Sequence, residues 1–110
     1  AQSPSPSLRR LFFNGLLRIS LSPANATRSP GGLQRDTATG HFGGGITQNL
    51  TQTLDYASSN PAVATAPNIA GDRSRIDAVG EGTATISATQ LTTGVSTTDT
   101  GDDALLTVGP

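Results

Sequence analysis

The sequence contains no cysteine, methionine, tryptophan or lysine. Without cysteine there is no disulfide, no thiolate metal site and no cysteine nucleophile. A chain without Met reads as processed or excised. Its opening, Ala1-Gln2-Ser3, is what signal-peptide cleavage after a small residue leaves, so the expected setting is secreted, cell-surface or extracellular. Aromatic residues are scarce, three Phe and one Tyr, and only 34% of the 110 residues are hydrophobic. The core must therefore be thin and built from Ala, Val, Ile and Leu. Seven Arg against eight acids give a net charge of −1. That balance provides no electrostatic footprint for nucleic acid or an anionic membrane. No stretch approaches the run of about 18 apolar residues that reads as a membrane-spanning helix. A chain of this length is expected to be one domain with a modest reserve of stability.

What the sequence does carry is period-two alternation. Gly82-Thr83-Ala84-Thr85-Ile86-Ser87-Ala88-Thr89 alternates between small apolar and hydroxylated residues, the pattern of a half-buried strand with Ala84, Ile86 and Ala88 inward. Gly80-Glu81-Gly82 marks a turn before it, and Ser74 to Val79 alternates in the same way. Ser58-Ser59-Asn60-Pro61 marks another turn, followed by a short strand from Val63 to Ala66. Further strands are expected at Arg18 to Leu21, Leu33 to Thr39, Ile46 to Leu50, Thr53 to Tyr56 and Ala104 to Val108, with Leu50, Leu54 and Tyr56 inward. Pro23 to Gly32 reads as loop, Gly40 to Gly45 as a flexible turn, and Gln90 to Asp103 as a polar loop. Short strands between Gly/Pro/Asn turns, with no helical period, predict an all-β fold. Its expected form is an antiparallel β-sandwich of about seven strands, the number an immunoglobulin-type sandwich needs.

The N-terminal stretch stands apart. Ser3-Pro4-Ser5-Pro6-Ser7 is a stiff polar spacer, and Leu8 to Leu21 is the most apolar part of the chain. Asn14-Gly15 between apolar runs is a two-residue hairpin signal, so an extra N-terminal strand or hairpin is expected. Residues 1–16 form this extension and residues 17–110 the sandwich domain. Leaving Leu11, Phe12, Phe13 and Leu16 in water would forgo roughly 1.5–3 kcal/mol for each large side chain. Two ways of covering them stay open: a hairpin folded on the same sandwich, or a strand added to the edge of another copy. In the second case Leu11, Phe12, Phe13, Leu16, Leu17, Ile19 and Leu21 make up the assembly strand. Head-to-tail contacts of that kind do not close, so they build a filament.

Leu17-Arg18-Ile19-Ser20-Leu21-Ser22-Pro23-Ala24-Asn25-Ala26-Thr27, followed in order by Gly31-Gly32, Ala38-Thr39-Gly40, Asn49-Leu50-Thr51, Ser58-Ser59-Asn60-Pro61-Ala62-Val63-Ala64-Thr65 and Gly82-Thr83-Ala84-Thr85-Ile86, resembles a bacterial Ig-like domain of group 2. The resemblance runs from about Leu17 to the end of the chain. It implies an Ig-like sandwich of the kind found in bacterial and phage surface proteins, where such modules act as spacers, adhesin stalks or carbohydrate-facing accessories without catalysing reactions. Tyr56 stands where the family usually has Trp, Asp36 where it usually has an inward-facing aromatic, and Gly44 where it has the Asp of an Asp-Gly turn. The Tyr56 phenol then needs a partner, and Asp36 is expected either to pair with Arg35 or Arg28 or to sit where its strand is not buried.

Chemistry-bearing residues are few. His41 is the only histidine and lies beside a glycine-rich turn, which reads as a solvated loop histidine. Ser-His-Asp combinations lack any local nucleophile signature. Asp99, Asp102 and Asp103 offer oxygens to a Ca²⁺ ion but do not have EF-hand spacing, so they read first as a solvated acidic loop. Arg73 and Arg75 with Asp72 and Asp77 read as cross-strand surface pairs, and Arg9 with Arg10 makes only a weak basic patch. Asn25-Ala26-Thr27 and Asn49-Leu50-Thr51 are glycosylation sequons. No cofactor is expected, and an enzyme is the least favoured class. A structural subunit whose partners are copies of itself leads. A module that binds a host or matrix glycan or protein follows, weakened because Tyr56, Phe12, Phe13 and Phe42 are the only rings on which a sugar can stack.

Overall fold

The computed structural model describes residues 15–109. The protein is an all-β sandwich of two layers. In chain order the strands are β1 (Leu16–Ser22), β2 (Asn25–Arg28), β3 (Leu33–Arg35), β4 (Thr37–Phe42), β5 (Thr47–Asn49), β6 (Asp55–Ser58), β7 (Ala64–Thr65), β8 (Arg75–Ala78), β9 (Gly82–Thr89) and β10 (Ala104–Val108). One short helix, α1 (Thr97–Thr100), precedes β10, and Gly43–Gly45 forms a 3-10 turn between β4 and β5.

The first layer is one sheet interrupted at Asp36. β4 pairs with β1 and β5, while β3 pairs with β8, which pairs with β7. Because β3 and β4 are consecutive pieces of one strand, the order across the layer is β1, then β4 with β3, followed by β5 beside β4 and by β8 and β7 beside β3. The second layer runs β2, β10, β9, β6. This is the strand order of an immunoglobulin-type sandwich. The chain changes layers between β1 and β2, where the Ser22–Pro23 peptide is cis.

Alternation builds the core. Ala84, Ile86 and Ala88 on β9 and Ala104, Leu106 and Val108 on β10 point inward, against Ile19, Leu21, Ala38 and Ile76 of the opposite layer. Burying each Ile or Leu contributes about 1.5–3 kcal/mol, so a core of such small residues holds only if its layers sit close. Within the first layer Gly40 leaves room for the inward side chains of the neighbouring strands, since a Cβ there would stand 2.5 Å from Leu50 Cδ1 and 3.1 Å from Leu16 Cδ1. In β1 the alternation is broken by a bulge: Leu16 pairs with Phe42 and Arg18 with His41, which leaves Leu17 as the extra residue, facing solvent.

Several expectations needed correction. Asn25–Arg28 lies in the stretch read as loop, yet it is a strand, and it pairs in parallel with β10. Gly40, His41 and Phe42 belong to β4, so the glycine turn is confined to Gly43–Gly45. The loop read between Gln90 and Asp103 contains α1. Its sequence has the means to make one turn: the Ser96 hydroxyl accepts from the Thr98 N–H at 3.2 Å, Asp99 sits in the first turn, and Gly101 closes the helix at φ 72°. Asn14 of the Asn14-Gly15 hairpin signal and the apolar residues Leu11, Phe12 and Phe13 lie outside the described residues.

Candidate functional site

The features that set what this domain can do are its two ends and its strand edges. β3 and β4 run from Leu33 to Phe42, roughly 30 Å at about 3.3 Å per residue. Phe42 pairs with Leu16, so the chain enters the sandwich at that end. At the other end Leu33 O accepts from Arg28 Nε at 3.1 Å, Arg28 pairs with Val108, and the Gly109 N–H reaches Arg28 O at 3.0 Å. The chain therefore leaves the sandwich at the end opposite to its entry. Between the two points lies the parallel β2–β10 pair, four residues in register from Asn25 with Leu105 to Arg28 with Val108. A further bond from the Leu105 N–H to Ala24 O, 2.8 Å, extends it.

Strand edges carry unpaired backbone groups that invite pairing with other chains. On β6 and β2 they are met by side chains. On β6, the Tyr56 N–H donates to Asn68 Oδ1 at 2.8 Å, and Asn68 Nδ2 donates back to Tyr56 O at 2.9 Å. One side-chain amide thus takes the place of a neighbouring strand. Asn68 does this from the left-handed region, φ 52°, which Asn tolerates better than most residues. On β2, Arg28 donates to Thr27 O at 2.6 Å. Beside β1, Arg18 reaches Asp102, just beyond α1, at 3.5 Å. β7 has only two residues.

The assembly-strand residues divide between core and surface. Leu16, Ile19 and Leu21 are buried in this domain's own core, and Leu17 is 65% exposed at the bulge. Other exposed apolar side chains lie towards the ends of the long axis. Ile46 and Leu91 join Leu17 at the entry end, and Leu33 and Val79 sit at the exit end, whereas Ile69 and Leu105 lie elsewhere. Both aromatic rings among the described residues, Phe42 and Tyr56, are buried, so neither is presented to a sugar.

His41 is not a loop residue. It stands in β4, half-buried, with Nε2 2.8 Å from Ser20 Oγ across the β1–β4 ladder. The acidic residues are also engaged. Asp103 accepts from the Thr97 and Thr98 hydroxyls at 2.6 and 3.0 Å, Asp102 meets Arg18, and Asp99 lies in the first turn of α1. Among the described residues no three His, Cys, Asp or Glu side chains gather as a metal site would require. The sequon residues Asn25 and Asn49 are both exposed, at the start of β2 and the end of β5. Asn49 Oδ1 accepts from both the N–H and the hydroxyl of Thr51, at 2.9 and 2.6 Å. Asp72 pairs with Arg35 rather than with Arg73 or Arg75, Arg73 reaches Asp55, and Arg75 meets Asp77 on its own strand.

Asp36 departs from both expected solutions. It is 4% exposed, and neither expected arginine pairs with it: Arg35 is engaged with Asp72, and Arg28 donates to the Thr27 and Leu33 carbonyls. Its partner is Gln34, two residues earlier on the same face, whose Nε2 donates to Asp36 Oδ1 at 3.0 Å. Burial pushes the Asp36 carboxyl above the usual carboxylate range, and the Gln34 bond and the Arg28 charge offset part of that. Burial likewise pushes the Tyr56 phenol far above its ordinary value, helped by the nearby Asp36. The phenol has the partner it needs, donating to Thr51 O at 2.8 Å.

Fold and edges together define a two-layer β-sandwich of immunoglobulin-type strand order, with side-chain guards on β2 and β6. Comparison with known proteins finds no matching family model and no matching curated protein.

Proposed function

We propose that this domain is a non-catalytic extracellular structural module that works as a link in an end-to-end array, a surface filament or appendage. The observation that carries this reading is the parallel β2–β10 pair, set between an entry and an exit at opposite ends. Tension applied along the chain pulls β2 and β10 past one another, so their hydrogen bonds are loaded together in shear instead of opening singly. Guarded edges fit the same role, because a link repeated along a filament must not pair sideways. The apolar segment with Leu11, Phe12 and Phe13 is the proposed connector between copies, with Leu17 at its base. The resemblance to group 2 bacterial Ig-like domains supports the surface setting.

Force spectroscopy on a tandem of this domain, pulled through its ends, tests the mechanical part. In the β2–β10 register the Ala26 N–H faces β10, so Ala26→Pro removes one ladder bond. The unfolding force should fall by a larger fraction than the equilibrium stability does. A force that merely tracks stability would refute the shear role. For the connector, the full chain and a chain starting at Gly15 are compared by size-exclusion chromatography and negative-stain imaging. The shortened chain should fold and stay monomeric while the full chain assembles; equal assembly by both would exclude residues 1–14 as the link.

A further inference from the structure

Asp36 and Gln34 are buried together, 4% and 6% exposed, on one face of the strand that β3 and β4 share. Gln34 Nε2 has its two hydrogens placed, on Arg35 O at 3.1 Å and Asp36 Oδ1 at 3.0 Å. Gln34 Oε1 is the one buried side-chain polar atom among the described residues that has no partner. An unsatisfied buried acceptor costs about 1–3 kcal/mol, and an unpaired buried carboxylate costs more. Both costs have one remedy. If Asp36 keeps its proton, the second carboxyl oxygen becomes a donor, and the amide already bonded to Asp36 Oδ1 carries the unpartnered acceptor Gln34 Oε1. A carboxylic acid and a primary amide are complementary in this way: amide N–H to acid carbonyl, acid O–H to amide carbonyl. The terminal torsions of both side chains are soft, so the carboxyl and amide planes can turn toward that pairing.

We propose that Asp36 and Gln34 form a protonated acid–amide pair inside the sandwich, making the domain a proton-linked module that tightens in acid and loosens as the proton leaves. The groups that face the pair do not replace the proton. Arg28, at the end of β2, attracts the ionised form from a distance, but its Nε and Nη1 are spent on Leu33 O and Thr27 O. Tyr56, on β6, donates its hydroxyl to Thr51 O. Arg73, ahead of β8, acts on Tyr56 and is held by Leu54 O and Asp55. The Arg35 guanidinium is taken by Asp72. A carboxyl that binds its proton more tightly folded than unfolded contributes fully below the unfolded midpoint near 3.9. That contribution is lost as pH rises from there through the folded-state midpoint. The loss is tenfold in the folded-to-unfolded ratio for every pH unit separating the two midpoints.

Asp36→Asn tests this, because its amide donates to Gln34 Oε1 and accepts from Gln34 Nε2 at every pH. Thermal melts of both proteins are compared from about pH 3.5 to about pH 8. The wild-type melting temperature should fall relative to the variant as pH rises, and the two should converge in acid. Independently of the variant, the ¹³C shift of the Asp36 carboxyl in the wild-type chain should titrate well above the ordinary Asp value. Parallel melting curves overturn the proposal. So does a carboxyl that titrates at or below that value, and this second reading decides the matter if the variant does not fold.

Discussion

Asn68→Gly isolates the guard on β6. Glycine accepts the positive φ of 52° at this position, so the backbone is not strained, and the loss is that of the side-chain amide. The wild-type amide makes three bonds: it accepts from the Tyr56 N–H, donates to Tyr56 O, and donates to Ala66 O at 3.2 Å. Each is worth about 1 kcal/mol net where water cannot fully replace it. β6 lies at a sheet edge, so water recovers part of the loss, but the freedom glycine adds to the unfolded chain costs up to about 1 kcal/mol. Together these give roughly 2–3 kcal/mol. For a domain of this size each kcal/mol lowers the melting temperature by about 4–8 °C, so a drop of roughly 8–24 °C is expected. In urea the midpoint should fall with the slope unchanged. The variant should also self-associate with rising concentration in size-exclusion chromatography, because the Tyr56 backbone is now open to another strand. A variant within about 0.5 kcal/mol of wild type that stays monomeric would refute the claim that Asn68 stands in for a strand.

Two further substitutions probe how the core is packed. Gly40→Ala places a Cβ against Leu50 and Leu16 at overlapping distances, and it should cost about 1–3 kcal/mol in urea denaturation, recovered in part by Leu50→Ala. Thr97→Val keeps the shape of a fully buried side chain but removes the hydroxyl that accepts from the Ala88 N–H at 3.0 Å and donates to Asp103. Leaving those groups unpaired should cost about 2–3 kcal/mol, and faster hydrogen exchange at Ala88 should report it.

Much of the fold was legible because its strands follow their local pattern. β9 and β10 occupy the stretches whose alternation announced them, Gly82–Thr89 and Ala104–Val108. Both lie in the interior of the second layer with one face on the core, the condition under which period two is cleanest. β2 was illegible for the opposite reason. Its side chains are almost all exposed, and its partner strand lies 80 residues further on, so nothing local distinguishes Asn25–Arg28 from the loop around it. Asp36 misled in another way. A buried carboxylate argues for a cation, and arginines were close in sequence, but the partner was a neutral amide two residues away. Period two puts Gln34 on the same face as Asp36. The guard at Tyr56 was equally hidden, because an Asn twelve residues away carries no sign that its amide will bond to backbone.

The contrast between edges and ends is what makes the assembly reading specific. A donor strand arriving at β6 would have to displace the two Asn68 bonds, and one arriving at β2 would have to displace Arg28 from Thr27 O. At β7 it would find only two residues to pair with. The first two routes cost bonds before any new bond forms, and the third offers too few to gain. The ends present the opposite situation: Leu17, Ile46 and Leu91 at the entry, Leu33 and Val79 at the exit, apolar side chains with no bonds to break. Covering each of them gains about 25 cal/mol for every Å² removed from water. The chain's most apolar segment, containing Leu11, Phe12 and Phe13, joins the sandwich immediately before Leu16, at the entry end. If copies join through the ends as proposed, the line of contact follows the β2 and β10 strands, and the hydrogen bonds between those strands cross that line and are loaded in shear.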